Sequence, residues 1–492
     1  MTEHELAARI VDALLRENYG GLAERVDGAV LRLPDGTSLP LEPDGFQADQ
    51  RVRRGRLTVE NALAILDAIA DPRDTDGVAA FKTECRQALT ELRLRAAHPA
   101  TTGNYDAIAA ALPHPVYPAS PGHPGLSNQD LLRYAPEFSP EFELNWAAVP
   151  AERVTSTATR PAWWPSHSDV GLPDNNTRLL PVHPLTARDA WPGDGATLAP
   201  RTHLLVRPTL SLRTVVVTPN EHLKLPVPLA TLGMRNFRSL APRTLADGAL
   251  VNQVLAKVTE DPELSALILA DDTGYAHAGH PFLGYLHRRL PWGAEHAIPI
   301  AALAAPGLIA ERESFLAEYF DLLFRVHVRL FSRYGIALEA HQQNAAIIPG
   351  EPMKLLVKDY DGTLINHARL TRALGADTPP PEAFADQRLL TDSDDALTAV
   401  MVTIVVHLCV GAIAVTPAER ALARDALAAA LDREPGAAPL RRALAADRLP
   451  VKAMVTAGTL IDKVRLGITD INKYYKTTGP NYLKEDSWTR GL

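Results

Sequence analysis

Cysteine is almost absent from this chain. Cys85 and Cys409 are the only two among 492 residues, too few and too far apart for a disulfide framework, a cysteine-bound metal or an iron–sulfur cluster. A net positive charge is missing as well. Fifty Lys and Arg against 58 Asp and Glu leave a formal charge of −8, which argues against a nucleic acid or an anionic membrane as the main partner. A small acidic substrate would therefore need a local basic pocket. There is no Walker-type GxxxxGK, no GxGxxG and no nucleophile elbow, so a nucleotide site here has to be built without a glycine cradle. The opening MTEHELAARIVDALLRENYGG reads as an amphipathic helix and not as a signal peptide, and a cytoplasmic protein is expected. Only one stretch, ALTAVMVTIVVHLCVGAIAV at Ala396 to Val415, is uncharged over the length of a membrane span. It carries Thr398, Thr403, His407 and Gly411, so a buried core helix with no membrane role is the expectation.

What is present is the makeup of a globular protein, 46% hydrophobic and 22% charged, too long for one ordinary core. Residues 1–95 read mainly as helices, with a strand–turn–strand in AVLRLPDGTSLPLE around Pro34-Asp35-Gly36. From His98 to about Arg201 the density of Pro, His and Trp predicts loop with short strands. HLLVRPTLSLRTVVVTP returns to strand character, and the stretch from HLKLPVPL to NQVLAKV is expected to turn helical. Apolar positions 316, 319, 320, 323, 326 and 330 define one face of a helix over 313–334, capped by Gly335. GIALEAHQQN then follows as a strand, PGEP turns the chain, and MKLLVKDYDG returns as its partner. TPAE at Thr416 to Glu419 is a capping box with Pro at the first helical position.

Three constellations carry candidate chemistry. On a strand, Glu339, His341 and Gln343 share a face, with Asn344 at its end and Asp359 returning on the partner. Carboxylate and amide oxygens are the hard ligands that Mg²⁺ prefers, and H-x-x-N followed by D-x-x-G resembles the metal-holding residues of phosphotransfer enzymes. An ordinary polar turn is the other reading. In PTLSLRT, Ser211, Arg213 and Thr214 offer a fork donor and two hydroxyls suited to a polyphosphate; a half-exposed strand is the plain alternative. In KLPVPLATLGMRNFRSL, Lys224, Thr231, Arg235 and Arg238 gather cationic and hydroxyl donors, and Thr231 and Arg235 would share a face if helical. That is either a carboxylate clamp or a solvated helix face.

Taken in order, SLRT, KL with a downstream Thr and Arg, GIALEAHQQN and KDYDG resemble the signature of the NRPS-independent siderophore (NIS) synthetases, the aerobactin-synthetase-like IucA/IucC family. The resemblance spans roughly Ala97 to Leu460. LPVHPLTA around His183, LPVKAM around Lys452 and RYAPEF at Arg133 to Phe138 agree with it. It implies an α+β, multidomain cupped-hand architecture of thumb (1–95), fingers (96–250) and palm (251–492), with mixed and antiparallel sheets, a helical C-terminal palm and a homodimer. It implies an ATP- and Mg²⁺-dependent ligase that adenylates a carboxylate of citrate or a related acid. An amine, hydroxylamine or alcohol then forms an amide or ester, with release of AMP and pyrophosphate.

By match to the motifs, Ser211, Arg213, Thr214, His341, Gln343, Asn344 and Asp359 would bind nucleotide, and Glu339, Asn344 and Asp359 would hold the metal. Lys224, Arg235 and His341 would be catalytic, and Thr231, Arg235, His114 and Lys452 would bind substrate. The chain departs from the family pattern in HPVYPASPGHPG, where His114 matches but Tyr117, Pro121 and His123 replace a His, a Lys and an Arg. HPLT stands where the family has HPWQ, and Lys358 precedes Asp359 in place of Arg. These changes imply an acid other than citrate more than they question ATP. A kinase-like phosphotransferase yielding ADP, a ferric-siderophore-binding module and a non-catalytic scaffold are the other readings.

Overall fold

The computed structural model describes residues 1–99, 104–120, 122–468, 474–475 and 477–484. The first region begins with α1 (Glu3–Arg16), opened by a capping box between Thr2 and Glu5. A four-stranded antiparallel meander follows, β1 (Val26–Asp27), β2 (Val30–Arg32), β3 (Ser38–Pro43) and β4 (Gln50–Val52). Its β2–β3 turn is the one expected at Pro34-Asp35-Gly36. Helices α2 (Val59–Ile69) and α3 (Thr75–Ala97) complete the region, and Leu6, Ile10, Leu14, Leu66 and Phe81 bury its core. Val455 and Leu460 from the far end of the chain share that core. At Gly77, α3 passes so close to this segment that a Cβ would lie 2.0 Å from the Leu460 carbonyl oxygen. Only glycine fits there.

Helices α4 (Tyr105–Ala111) and α5 (Asn128–Tyr134) lead into a nine-stranded antiparallel sheet. Its members are β5 (Phe142–Pro150), β6 (Thr155–Ser156), β7 (Thr177–Val182), β8 (Thr197–Leu198), β9 (His203–Pro208), β10 (Thr214–Thr218), β11 (Glu221–Lys224), β13 (Asp271–His277) and β14 (Gly284–Arg289). Strand β12 (Leu267–Leu269) belongs to the next sheet, and α6 (Pro184–Asp189) and α7 (Pro242–Val258) lie between strands. The central order β14–β11–β10–β9 matters most, because Thr214 faces Lys224 across β10/β11 and His222 faces Arg288 across β11/β14. The expected boundary at 250 therefore falls inside α7, and β13 and β14 return to the middle sheet. Apolar alternation makes that sheet one body, whatever the order of the chain.

The last region is built on a small mixed sheet, β12–β18–β17–β15, with β15 (Ile298–Pro299), β17 (Ala345–Ile348) and β18 (Lys354–Val357). Helix α8 (Arg312–Arg329) runs on through a π-helical turn to Gly335, whose φ of +66° ends it as expected. The polar motif after it does not form a strand. Strand β16 is only Ile336–Ala337 and pairs with β19 (Leu364–Ile365), while residues 338–344 are loop and turn. The hairpin around Pro349–Pro352 pairs β17 with β18 instead. Helix α9 (His367–Leu374) precedes α10 (Asp394–Val400), which continues as π-helical turns to Gly411. Long and apolar enough to cross a membrane by composition, that helix is packed into the core, as the interrupted run predicts. Helix α11 (Pro417–Arg433) starts at the expected Thr416 capping box.

Candidate functional site

Where the three regions meet, a cavity of about 950 Å³ opens, lined by twelve Lys and Arg against six Asp and Glu. In a chain of net charge −8, that local excess makes it the basic pocket an acidic substrate requires. The β9–β10 turn supplies one wall. Leu212 is held there at φ +60°, a strained setting for a branched side chain that costs about 1–3 kcal/mol. The turn aims Arg213 into the cavity, where its Nη1 donates to the Ser239 carbonyl at 2.9 Å. Ser211 Oγ accepts from the Thr214 amide at 3.1 Å.

Lys224, at the end of β11, is buried and donates to Asp359, with Asp361 Oδ2 at 3.8 Å. Asp359 follows β18 at φ +67°, a second strained non-glycine residue, and its amide is fixed by Asp272 Oδ2 at 2.9 Å. Arg288 on β14 grips Asp272 through two bonds of 2.6 Å and reaches Asp359 at 3.9 Å. Burial opposes ionisation of Asp359, but Lys224 and Arg288 outweigh it and hold its carboxyl well below the usual range. The neighbouring Asp361 is pushed up to about 6, by burial first and then by Asp359 and Glu339.

The loop 339–344 supplies the rest. His341 Nδ1 accepts from the Gln343 amide at 3.2 Å, and Asn344 Nδ2 donates to the Glu339 carbonyl at 3.1 Å. The polar side chains thus tie a turn together, which is why the strand expected here does not form. Glu339 lies against Gly362, where an added Cβ would meet Glu339 Oε2 at 1.8 Å. Burial and then Lys452 push the His341 imidazole down to about 4. His114 is pushed down to about 3 by burial, then by His341, and its Nδ1 accepts from the Val116 and Tyr117 amides. Asp359 and Asp361 share Lys224, and Glu339 lies within electrostatic reach of Asp361, so three half-buried carboxylates gather where a divalent cation could be held.

The expected residues Ser211, Arg213, Thr214, Lys224, Thr231, His114, Glu339, His341, Gln343, Asn344, Asp359 and Lys452 all line this cavity. Arg235 does not. Residues 225–241 are irregular and not helical, so the spacing to Thr231 sets no common face. Arg235 turns to the Ala457 carbonyl at 3.3 Å, while Arg238 enters the cavity and donates from Nε to Thr231 Oγ1 at 2.6 Å. Burial and then Arg213 push the Arg238 guanidinium down to about 10. His183 lies outside the cavity, where its Nδ1 caps α6 and burial pushes its pKa down to about 3. His123 pairs with Glu91 at 2.9 Å, and Pro121 lies outside the described residues. Arg288 and Asp272 were not legible as site residues, and Asp361 was legible only as part of the D-x-x-G motif. The available signal was a run of three cationic or imidazole side chains closing the mostly buried β14, GYLHRR.

The fold is shared with known synthetases. A petrobactin biosynthesis protein from Bacillus anthracis, AsbB, superimposes with a TM-score of 0.76 at 16% identity, covering 97% of this chain and 95% of that one. ATP-bound aerobactin synthetase IucA from Klebsiella pneumoniae gives 0.64 at 16% identity, covering 98% and 99%. Aerobactin synthase of Escherichia coli is 26% identical over 314 residues, 51% of this chain and 54% of its own length. The chain spans about half the length of the curated relatives it matches. The IucA / IucC family model matches residues 106–305, and a ferric iron reductase FhuF-like transporter model matches 313–467. Residues 106–305 thus match the IucA/IucC family, the NIS synthetases that the motifs resemble, and the fold over nearly the whole chain is that of these synthetases.

Proposed function

We propose that this protein is an ATP- and Mg²⁺-dependent synthetase that adenylates a carboxylate of a di- or tricarboxylic acid and joins it to an amine, hydroxylamine or alcohol. The observation that carries the proposal is the cluster of Arg213, Lys224, Arg238 and Arg288 that lines the cavity with Asp359 and the 339–344 turn. Attack of a carboxylate on ATP brings two anions together, so the barrier is lowered by positioning and by neutralising charge. Arg213 and Lys224 would bind phosphate oxygens, and Arg238 with Thr231 the acid. His341, neutral at physiological pH, can donate a hydrogen bond from Nε2 to the α-phosphate of the transferred adenylyl group without carrying a proton away. Glu339, Asn344 and Asp359 would hold Mg²⁺, joined by Asp361. When bound, the ion supplies charge neutralisation on phosphate oxygens. No protein nucleophile is required.

The ATP-bound state of one structural relative supports nucleotide use, and a Staphylococcus aureus relative named as the synthase of a 2-hydroxypropanoate carrying two carbamoyl links supports amide formation. The test is pyrophosphate release from ATP across citrate, succinate, 2-oxoglutarate and citryl conjugates, with and without polyamines. Acid-dependent pyrophosphate with AMP is expected. ATP turnover that gives ADP, or that ignores every acid, would overturn the proposal. The FhuF-like match does not favour iron–sulfur chemistry in this chain, whose two cysteines are separately buried, Cys409 donating to the Ala340 carbonyl.

A further inference from the structure

The cavity extends beyond the reaction centre to a second group of cations on the first region. Arg9, Asp12 and Arg16 occupy one face of α1, at spacings of three and four, while Leu6, Ile10 and Leu14 face its core. Among the described residues, neither arginine donates a hydrogen bond to a carboxylate. Arg9 Nη2 donates to the His114 carbonyl at 2.5 Å and more weakly to Tyr117 at 3.4 Å. Arg16 Nη2 donates to the Val116 carbonyl at 3.1 Å. The Nε of each is buried without a hydrogen-bond partner.

Nearby acids are already engaged. Asp12 accepts from the Val52 amide at 2.7 Å and from Arg54 at 2.8 Å. Glu17, 3.8 Å from Arg16, accepts from the Val455 and Thr456 amides at 3.1 and 2.7 Å. Across the cavity, Arg420 adds a further cation whose Nε donates to the Ala414 carbonyl. Burial, then Arg16 and Arg54, push the Arg9 guanidinium down to about 10. Two half-buried guanidinium groups whose hydrogen bonds go to neutral carbonyls, with only Glu17 near Arg16, are a costly arrangement that an anion would relieve. His114 lies between the two ends, within electrostatic reach of Arg9 and Arg16 on one side and His341 on the other.

We propose that Arg9 and Arg16 form a second anion subsite, which holds a carboxylate remote from the one that reacts. Its source is either a distal carboxylate of the activated acid or the carboxylate of an amino-acid nucleophile. The inference rests on the synthetase reading only for which molecule brings that group. It is tested on the full chain by titration calorimetry with citrate and with 2,4-diaminobutyrate, in the absence of ATP, for wild type, Arg9→Gln/Arg16→Gln and Arg9→Lys/Arg16→Lys. At least one probe should bind the Gln variant tenfold or more weakly, with partial recovery in the Lys variant. A loss for citrate assigns the subsite to the acid, and a loss for diaminobutyrate assigns it to the nucleophile. In turnover, the KM for the same substrate should rise as much while the KM for ATP stays within twofold. Equal affinity of both probes for wild type and Gln variant, or binding of neither to wild type, would overturn the subsite. The titrations contain no ATP, so they read the arginines even if no acid yields pyrophosphate.

Discussion

Arg238 shows how position in space overrides position in a motif. Thr231 and Arg235 have the spacing of a helical pair, but Pro226 and Pro228 and the φ of +57° at Leu232 keep the segment irregular. The guanidinium that reaches the cavity is then three residues further on. Arg238→Ala is expected to lower kcat/KM for the acid about 100-fold, the 2–3 kcal/mol of a charged hydrogen bond made to substrate. Arg235→Ala should keep kcat/KM within fivefold and lower stability by about 1 kcal/mol, having lost one bond to a carbonyl. Steady-state kinetics beside urea unfolding separates the two. If Arg235→Ala were the more damaging to catalysis, the assignment of the acid site would be reversed. Arg288, Arg9 and Arg16 were invisible to motif reading for a related reason. Each stands in an ordinary helix or strand, and only the fold brings its guanidinium to the cavity.

At the scale of elements, the segments read correctly are those whose signals are local. The Thr416 capping box, the Gly335 helix end and the turn before β18 depend on neighbours within a few residues, and all are found where expected. The strand expected over 339–344 fails because Glu339, His341 and Asn344 satisfy one another's backbone in a turn. That turn and the D-x-x-G segment meet at Gly362, which has no room for a side chain beside Glu339. Gly362→Ala should displace the Glu339 carboxylate with little change in thermal midpoint. The Mg²⁺ concentration for half-maximal acid-dependent pyrophosphate release should rise at least tenfold. An unchanged Mg²⁺ dependence would remove Glu339 from the metal site.

At the scale of the whole molecule, the first and last regions are joined by a buried polar network that no motif announces. Tyr117 donates to Glu84, and Thr459 Oγ1 lies 3.3 Å from both. Burial pushes the Glu84 carboxyl up to about 7, against hydrogen bonds from Tyr117 and Thr459 and the charge of Arg235. Because the folded value exceeds the ordinary 4.5, the folded state holds the proton more tightly. The stability this adds is complete below pH 4.5, falls as pH rises, and is lost above 7. Glu84→Gln should therefore gain roughly 2 kcal/mol on wild type between pH 5 and pH 8, read from urea midpoints. A variant that follows the wild-type pH slope would contradict the assignment.

The same joining of regions creates the cavity in which, in the proposed reaction, a carboxylate oxygen attacks the α-phosphorus of ATP. The most direct measurement uses an acid labelled with ¹⁸O in its carboxylates, an accepted amine and ATP, with mass analysis of the phosphorus products. Adenylation predicts one ¹⁸O in AMP and none in pyrophosphate. Label in inorganic phosphate, with ADP as the other product, would contradict it.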